Sequence, residues 1–217
     1  MAEYRRLDEV CNINMGQSPA SDSYNEDGDG LPFFQGNADF GELYPNVRIW
    51  CSAPAKIVES KTLLIYVRAP IGALNFSLER SCIGRGLAGI TPVSGIKLKY
   101  VYYCLKGESA ELNAKGTGST FKAITKATLG EVPIRMIPVA EQQKVIQVLD
   151  TVSEIINQHK QQLSELDILI KARFVELFGS FDLSRTHQNW VPISQIGTVI
   201  GGATPKTSID KYWNGEY

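Results

Sequence analysis

The chain has 217 residues, of which 43% are hydrophobic, and a formal net charge of -1. It is therefore long and apolar enough for one or two domains with a buried core. Its N-terminus lacks the apolar run of a signal peptide, and no stretch approaches about 18 uninterrupted apolar residues. The sequence thus predicts a cytoplasmic protein rather than a secreted or membrane-spanning one.

The cysteines are few and widely spaced. Cys11, Cys51, Cys82 and Cys104 form no Cys-x-x-Cys pair, and no nearby histidine could complete a zinc site. We expect free thiols that are mostly buried as small apolar groups in a reducing compartment.

Positive charge is concentrated in the middle of the chain. Residues 43–107 carry nine basic side chains and two acidic ones, a net charge of +7. This balance favours a polyanion as partner, and the alternative is a scattered, solvated surface.

The chain up to about residue 138 shows short strand-like runs separated by glycine and proline. Residues 17–31 form a polar, turn-rich excursion within it. The predicted strands are 63–68, 72–76, 87–91 and 131–137, and the predicted helices are 96–105 and 109–113. We therefore predict an α+β fold, with a globular domain over 1–138 whose long loops carry the function.

The segment after Pro138 has the pattern of a coiled coil. Residues at alternating spacings of four and three form one seam, and eight of the ten are apolar. Pro138 and Gly179 stand where a helix begins and ends, which predicts a helix of about 40 residues and about 60 Å over 139–179. The seam residues are Val145, Leu149, Val152, Ile156, His159, Leu163, Leu166, Ile170, Arg173 and Leu177.

Such a helix cannot bury its seam against a domain with a radius of gyration of about 14 Å, so it needs a second helix. His159 and Arg173 interrupt the seam. We expect both to be tolerated there, Arg173 by extending its charge into solvent; the alternative is a role in setting the helix register.

The beginning of the chain recurs near its end. An offset of 186 residues is too long for a solenoid repeat and predicts a duplicated domain with its connector. In this interpretation 180–217 is a linker followed by the truncated start of a second domain. The matches are Tyr4, Leu7, Val10, Ile13, Gly16, Ser18 and Pro19 with Trp190, Ile193, Ile196, Val199, Gly202, Thr204 and Pro205, and, with a slip of two, Asp22 and Tyr24 with Asp210 and Tyr212.

One motif imitates a nucleotide site. Residues 84–89 match G-x-G-x-x-G, but Ile90-Thr91-Pro92 follows at once, whereas the dinucleotide fingerprint must open a helix. We therefore reject a dinucleotide site.

Catalytic groups are equally poorly supported. Asp39 with Glu59 and Lys61 resembles the carboxylates and lysine of metal-dependent nucleases, but the spacing is loose and a solvated turn explains it. His159 and His187 have no metal-spaced partner, and the chain lacks the (Asn/Asp)-Pro-Pro-aromatic run of adenine methyltransferases. We predict a chain without catalytic activity that holds no metal; a compact nuclease is the enzymatic alternative.

Four motifs follow one another along the chain. They are Leu-x-x-Val to Gly-x-Ser-Pro at 7–19, Val-Arg-Ala-Pro-Ile-Gly at 67–72 with Ile-Gly-Arg-Gly-Leu at 83–87, Gly-Thr-Gly-Ser-Thr at 116–120, and Ile-Pro-Val-Ala-Glu-Gln-Gln-Lys-Val-Ile at 137–146. Together they resemble the specificity (S) subunit of type I restriction-modification enzymes over the whole chain.

The resemblance implies that residues 1–138 read one half of a bipartite site in double-stranded DNA. It implies that 139–179 is a spacer helix and the docking surface for the modification subunit. That subunit, not this chain, would bind S-adenosylmethionine and methylate adenine N6, so we expect no cofactor here. A restriction subunit would join for cleavage.

Full-length members of the family carry two recognition domains and two antiparallel helices, whereas this sequence holds one of each and a stub. We therefore expect a homodimer. Because two-fold related domains read inverted half-sites, its target would be a gapped palindrome.

Most contacts to DNA are expected at phosphates, with a few polar side chains reading base edges. The expected phosphate-binding residues are Arg48, Arg68, Arg85, Lys115 and Lys122, with Thr117 and Ser119 in the loop between the two lysines. The expected base readers are Gln17, Gln35 and Asn37, because Gln and Asn bind adenine bidentately. The alternative function is a coiled-coil adaptor without enzymatic activity, whose globular head binds protein or RNA.

Overall fold

The computed structural model describes residues 3–93, 95–118, 122–179, 191–202 and 204. The chain divides into two units, Met1–His159 and Lys160–Tyr217. Strands described in the first unit are β1 (Glu3–Arg6), β2 (Cys11–Met15), β3 (Tyr24–Asn25), β4 (Leu31–Phe34), β5 (Trp50–Cys51), β6 (Ile57–Val58), β7 (Leu63–Tyr66), β8 (Leu74–Phe76), β9 (Ser81–Ile83), β10 (Leu87–Pro92) and β11 (Pro133–Met136). The described helices are α1 (Leu7–Val10), α2 (Leu98–Gly107), α3 (Ser109–Ala114), α4 (Lys126–Gly130), α5 (Val139–Phe178) and α6 (Ile193–Ile196).

The strands form three small sheets. One has the order β2-β10-β7-β8, a second the order β3-β5-β4-β9-β6, and β1 pairs with β11 alone. The described pairings are antiparallel except for the parallel pair β4 and β9. Mostly antiparallel sheets with helices between distant strands define an α+β fold, which confirms the predicted fold class.

The strand β7 shows why the two larger sheets pack together. Its residues alternate between two faces, so Leu63 and Ile65 enter the main core while Leu64 enters a second cluster with Phe34 and Ile83 of the other sheet. Leu63, Leu64 and Ile65 are all fully buried. An unbroken apolar run is typical of a strand that is covered on both faces.

The helices α1, α2 and α4 close the main core. Leu7, Val101 and Leu129 of these helices are each 0% exposed and pack with β2, β7 and β10. Each helix is too short to be stable alone, so this burial is what maintains it.

The helix α5 begins at Val139, as the sequence predicted, and ends at Phe178, one residue before the predicted end at 179. The carbonyl oxygen of Pro138 accepts the N–H groups of Glu141 (2.8 Å) and Gln142 (3.0 Å) at its start. Gly179 follows its last residue with φ of +80°, and its N–H donates to the carbonyl oxygen of Val175 at 2.7 Å. A left-handed glycine in this place is a common helix end.

Local structure recurs at the offset seen in the sequence. The helix α6 lies 186 residues after α1, and each has four residues. In each, the N–H of the following residue donates to the first carbonyl oxygen, from Cys11 to Leu7 and from Gly197 to Ile193. Trp190, Pro205, Asp210 and Tyr212 lie outside the described residues, so the second domain stays a prediction.

The thiols are free, as expected. Cys11, Cys51 and Cys82 are buried and Cys104 is half-buried. Burial raises the pKa of the Cys11 thiol to about 12, so it stays protonated at neutral pH. Across the described residues, no helix is long and apolar enough to cross a bilayer.

Candidate nucleic-acid interface

Four separate stretches of the first unit meet around one open, polar cavity of about 530 Å³. We call it the arginine cavity because Arg68 and Arg85 both line it. Its lining residues are Ser18, Pro19, Ser21, Tyr24, Gln35, Tyr66, Arg68, Arg85 and Gly86. Three of the residues predicted to bind DNA, namely Gln35, Arg68 and Arg85, are therefore brought together.

Glycines let the loops around the cavity approach at backbone distance. A Cβ atom on Gly16 would lie 2.2 Å from the carbonyl oxygen of Gly84, and one on Gly86 would lie 2.3 Å from that of Gln35. No side chain fits in either place. Gly84 and Gly86 thus belong to the turn between β9 and β10, which confirms that their motif does not open a helix.

The loop after β2 is bonded to this turn. The N–H of Gln17 donates to the carbonyl oxygen of Ile83 at 3.0 Å, and the Ser18 hydroxyl accepts the N–H of Arg85 at 3.4 Å. Gln17 does not line the cavity but lies at its edge, with an exposed side chain. The polar excursion predicted over 17–31 thus supplies one wall of the cavity.

A second loop is attached beside Arg68. Arg68 and Thr117 each form a bridge with Ala123, and the N–H of Ala69 donates to the carbonyl oxygen of Lys122 at 2.9 Å. Thr117 and Lys122 are therefore close to Arg68 in the fold. Ser119 lies outside the described residues.

The helix α3 leads into this loop and is bonded to the segment after Arg68. The side chain of Asn113 accepts the N–H of Ile71 at 3.0 Å, and Lys115 directly follows the last residue of α3. Lys115 is exposed, two residues before Thr117. It stands near the loop without lining the cavity.

Asp39 fixes the loop that carries Gln35 and Asn37. Its carboxylate accepts the N–H groups of Gln35 (2.7 Å) and Gly36 (3.1 Å) and is also bound by the guanidinium of Arg48. The Asp39 side chain is 6% exposed and that of Arg48 is 55% exposed. Arg48 thus supports the loop by binding Asp39. Neither Arg48 nor the exposed Asn37 lines the cavity.

The interface residues are accessible. Of the predicted DNA-binding residues that the structure describes, Arg68 is half-buried and the others are exposed. No ion pair among the described residues joins Arg68, Arg85, Lys115 or Lys122 to a carboxylate. Their charges are free to bind an anion, and they are the kind of donors that contact phosphates.

Four polar lining residues, Ser18, Ser21, Tyr24 and Tyr66, were not among the predicted contacts. Tyr24 donates its hydroxyl to the carbonyl oxygen of Pro19 at 2.9 Å, and burial raises the pKa of this phenol. The signal that could have identified Ser18 is its place in the motif that recurs at the offset of 186 residues.

Among the described residues, no cluster of metal-binding side chains accompanies the cavity. No group of three or more His, Cys, Asp or Glu side chains that could hold a metal ion occurs in the described part of the chain. Glu59 is paired with Arg80 at 3.4 Å. Asp39 is already saturated by the loop it holds.

The seam of α5 is open along the helix. The buried residues of α5, Gln142 and Ile146, lie outside the seam. The seam residues Val145, Val152 and Ile156 are 36%, 46% and 48% exposed. Within the second unit Leu163, Leu166, Ile170 and Leu177 are at least 53% exposed. Leu149 is half-buried and His159 is exposed, while Arg173 pairs with Glu176 at 2.6 Å.

An open polar cavity lined by two arginines, on an α+β domain followed by a long helix, has the basic, exposed donors expected of a nucleic-acid-binding protein. The family model of the type I restriction modification DNA specificity domain matches residues 2–167. The chain therefore belongs to this family.

Two relatives from Methanocaldococcus jannaschii carry names of the same kind. The MjaX specificity subunit is 40% identical over 157 residues, which cover 70% of this chain and 37% of the relative. The MjaIX specificity subunit is 31% identical over 129 residues, 58% of this chain and 30% of the relative. The chain thus spans well under half the length of these relatives.

Solved structures agree. The HsdS subunit from Thermoanaerobacter tengcongensis is 41% identical with a TM-score of 0.70, over 82% of this chain and 45% of that one. A chain from a structure on assembly and conformational transition of the type I R-M system is 43% identical with a TM-score of 0.73, over 78% and 43%. The S subunit from M. genitalium, 17% identical with a TM-score of 0.56 over 81% and 45%, shares the fold.

Proposed function

We propose that residues 1–138 read one half of a bipartite DNA site for a type I restriction-modification complex. The observation that carries this proposal is the arginine cavity, where Gln35, Arg68 and Arg85 converge from three strands' ends. Gln can bind an adenine edge bidentately, and Arg binds phosphate. Membership of the specificity family supports the same conclusion.

The two arginines and Lys122 set affinity, whereas the glutamines set preference. Arg68 pairs with Ala123 and Ala69 bonds to Lys122, so Arg68 and Lys122 lie on neighbouring segments. A phosphate bound there would therefore meet two cations. Gln17 and Gln35 stand on loops that join at the turn after β9. In this arrangement phosphate contacts fix the register in which the glutamines meet base edges.

The chain itself performs no chemistry in this proposal. The modification subunit docks along α5, binds S-adenosylmethionine and methylates adenine, and a restriction subunit joins for cleavage. In this proposal the chain acts in the cytoplasm.

A second copy of the chain supplies the second helix. The exposed seam of α5 supports this proposal, because an apolar stripe of such length is stable only against another helix. Two copies related by a two-fold axis present inverted recognition domains, so the target is a gapped palindrome.

The test is sequencing of methylated bases in cells that carry the chain with its modification subunit. The expected result is adenine methylation at one gapped palindrome. An asymmetric bipartite motif would exclude the homodimer, and the absence of any new motif would exclude the function.

Binding to DNA separates this function from that of an adaptor. A gel shift with duplex DNA and the modification subunit should weaken steeply as salt rises, because each phosphate contact releases counterions. An adaptor for protein or RNA would give no such shift. Magnesium-dependent cleavage by the chain alone would instead support the nuclease alternative.

A further inference from the structure

The first turns of α5 are bound to the globular domain along one face. Gln142, Ile146 and Asp150 follow at intervals of four residues and therefore lie above one another on the helix. Gln142 is 0% exposed, and Ile146 is 4% exposed and belongs to the main core. Asp150 lies at the rim of this contact, with 37% of its side chain exposed.

The Gln142 side chain makes three hydrogen bonds, which join α5 to the segment before α2 and to the residue before Pro138. Its side-chain amide donates to the carbonyl oxygens of Gly95 (3.1 Å) and Ile137 (2.9 Å). Its side-chain oxygen accepts the N–H of Lys97 at 2.9 Å, at the residue that precedes α2. A fully buried amide with all three bonds made is costly to disturb, because each unpaired group would lose its solvation without compensation.

Asp150, two turns after Gln142 on α5, binds side chains of α2. Its carboxylate accepts bonds from Lys99 Nζ at 2.7 Å and from the Tyr103 hydroxyl at 2.5 Å. Burial opposes ionisation of Asp150, but the bonds from Lys99 and Tyr103 outweigh it and lower the pKa of the carboxyl. The helix α2 is thus held to α5 at two points.

The seam lies on a neighbouring face of the same helix. At 100° per residue, Val145, Leu149, Val152 and Ile156 are centred about a quarter turn away from the three domain-facing residues. The domain therefore fixes the start of α5 without covering the seam.

We infer that Gln142, Ile146 and Asp150 form a junction clamp that fixes the direction in which α5 leaves the recognition domain, and so restricts the spacing between half-sites. The inference rests on the proposed function. It concerns how strictly the spacing is read, not which bases are read.

The clamp must resist a large relative movement of the recognition domain and its helix when the spacing between half-sites changes. One base pair added between half-sites turns one of them by about 34–36° and shifts it by about 3.4 Å. A recognition domain can follow this displacement only if it twists against its helix. A rigid junction forbids that twist, and a loosened one allows it.

The test uses a library of plasmids that carry the two wild-type half-sites with spacers from three base pairs shorter to three longer. The library is exposed to the chain with its modification subunit, and methylation of each spacer is counted by sequencing. The variants are Gln142→Ala and the double variant Tyr103→Phe with Asp150→Ala, whose changes lie at the rim and spare the core. The control is Gln147→Ala, which removes an exposed glutamine from the same helix.

The expected result is that the wild-type chain and Gln147→Ala methylate one spacer length. The clamp variants should methylate the spacers one base pair longer and shorter about tenfold more than the wild type does, relative to the best spacer. Their half-site sequences should be unchanged, which a general loss of structure would not produce.

The two ways of failing are distinct. Clamp variants that keep the wild-type spacing profile would overturn the inference alone. If Gln142→Ala does not fold, the double variant decides. A wild-type chain that directs methylation to no bipartite motif would overturn the proposed function and this inference with it.

Discussion

Asp39 is the residue whose structural role differs most from its apparent chemistry. With Glu59 and Lys61 it resembles part of a nuclease site, but its carboxylate accepts two backbone N–H groups and the guanidinium of Arg48. A carboxylate bound in this way has no free lone pairs for a metal or a water. Its effect is to hold the backbone that presents Gln35 to the arginine cavity.

Replacing Asp39 by Ala should therefore destabilise the domain. Two partly buried backbone N–H groups and one guanidinium lose their acceptor, and we expect a loss of about 1–3 kcal/mol in the free energy of unfolding. Denaturation by urea measures it. Asp27→Ala, at an exposed position twelve residues before Asp39, is the control, and equal stability of the two variants would contradict this role for Asp39.

Gln35 and Lys122 should differ in what they contribute to binding. Gln35→Ala should change preference at one base pair, because a side chain that reads a base edge gives about 1–3 kcal/mol of discrimination. Lys122→Ala should weaken binding about equally for all sequences and lower the salt dependence by about one counterion. Binding assays on a randomised half-site measure both, and unchanged binding of both variants would show that the loops are misassigned.

The sequence pointed to some of the residues that line the arginine cavity and missed the others for a physical reason. Arg68, Arg85 and Gln35 stand out as polar or charged residues at the ends of strand-like runs. Ser21 and Tyr66 do not stand out, because their contribution depends on which loops cross above the sheet. That crossing is decided by contacts such as Gly16 on Gly84, which no local pattern encodes.

At the scale of elements, the longer strands and helices were predicted well, whereas the two-residue strands were not predicted. The runs predicted at 63–68 and 87–91 correspond to β7 and β10, and 139–179 corresponds to α5. The two-residue strands β3, β5 and β6 have no pattern of their own. They are strands only because distant residues provide their hydrogen-bond partners, which periodicity cannot reveal.

The contact between α2 and α5 has a measurable signature in Tyr103. Burial and the bond to Asp150 raise its pKa to about 12. Asp150→Asn removes the second cause, so the pKa should fall toward the usual value of about 10 while burial keeps it above. Because the pKa is raised in the folded state, this contact stabilises the fold below about pH 10 and is lost as pH rises through about 12.

NMR titration of ring-labelled tyrosine follows this group directly. Tyr103→Phe identifies its signal by deletion. A Tyr103 pKa that is the same in the wild type and in Asp150→Asn would show that the two side chains do not meet in solution.

At the scale of the whole molecule, the seam should decide the oligomeric state. Val152→Asp with Ile156→Asp places two charges on the exposed seam of the first unit, where an apolar partner would have to desolvate them. We expect the wild-type chain to sediment as a dimer and this variant as a monomer with an unchanged circular dichroism of its globular part. Gln147→Asp, outside the seam, is the control, and a wild-type monomer at micromolar concentration would contradict the homodimer.

The pairing of β1 with β11 brings Arg6 opposite Pro133 and Glu3 opposite Met136. The first and last strands of the globular domain are therefore paired with each other, and Pro138 and α5 follow the second of them closely. The rest of the globular domain lies between these two paired strands in the sequence, so it begins and ends at the same place in the fold. Under the proposed function, loops such as 17–31 could change in sequence while the paired strands β1 and β11 keep the start of α5 in place, so a new DNA preference would not require a new scaffold.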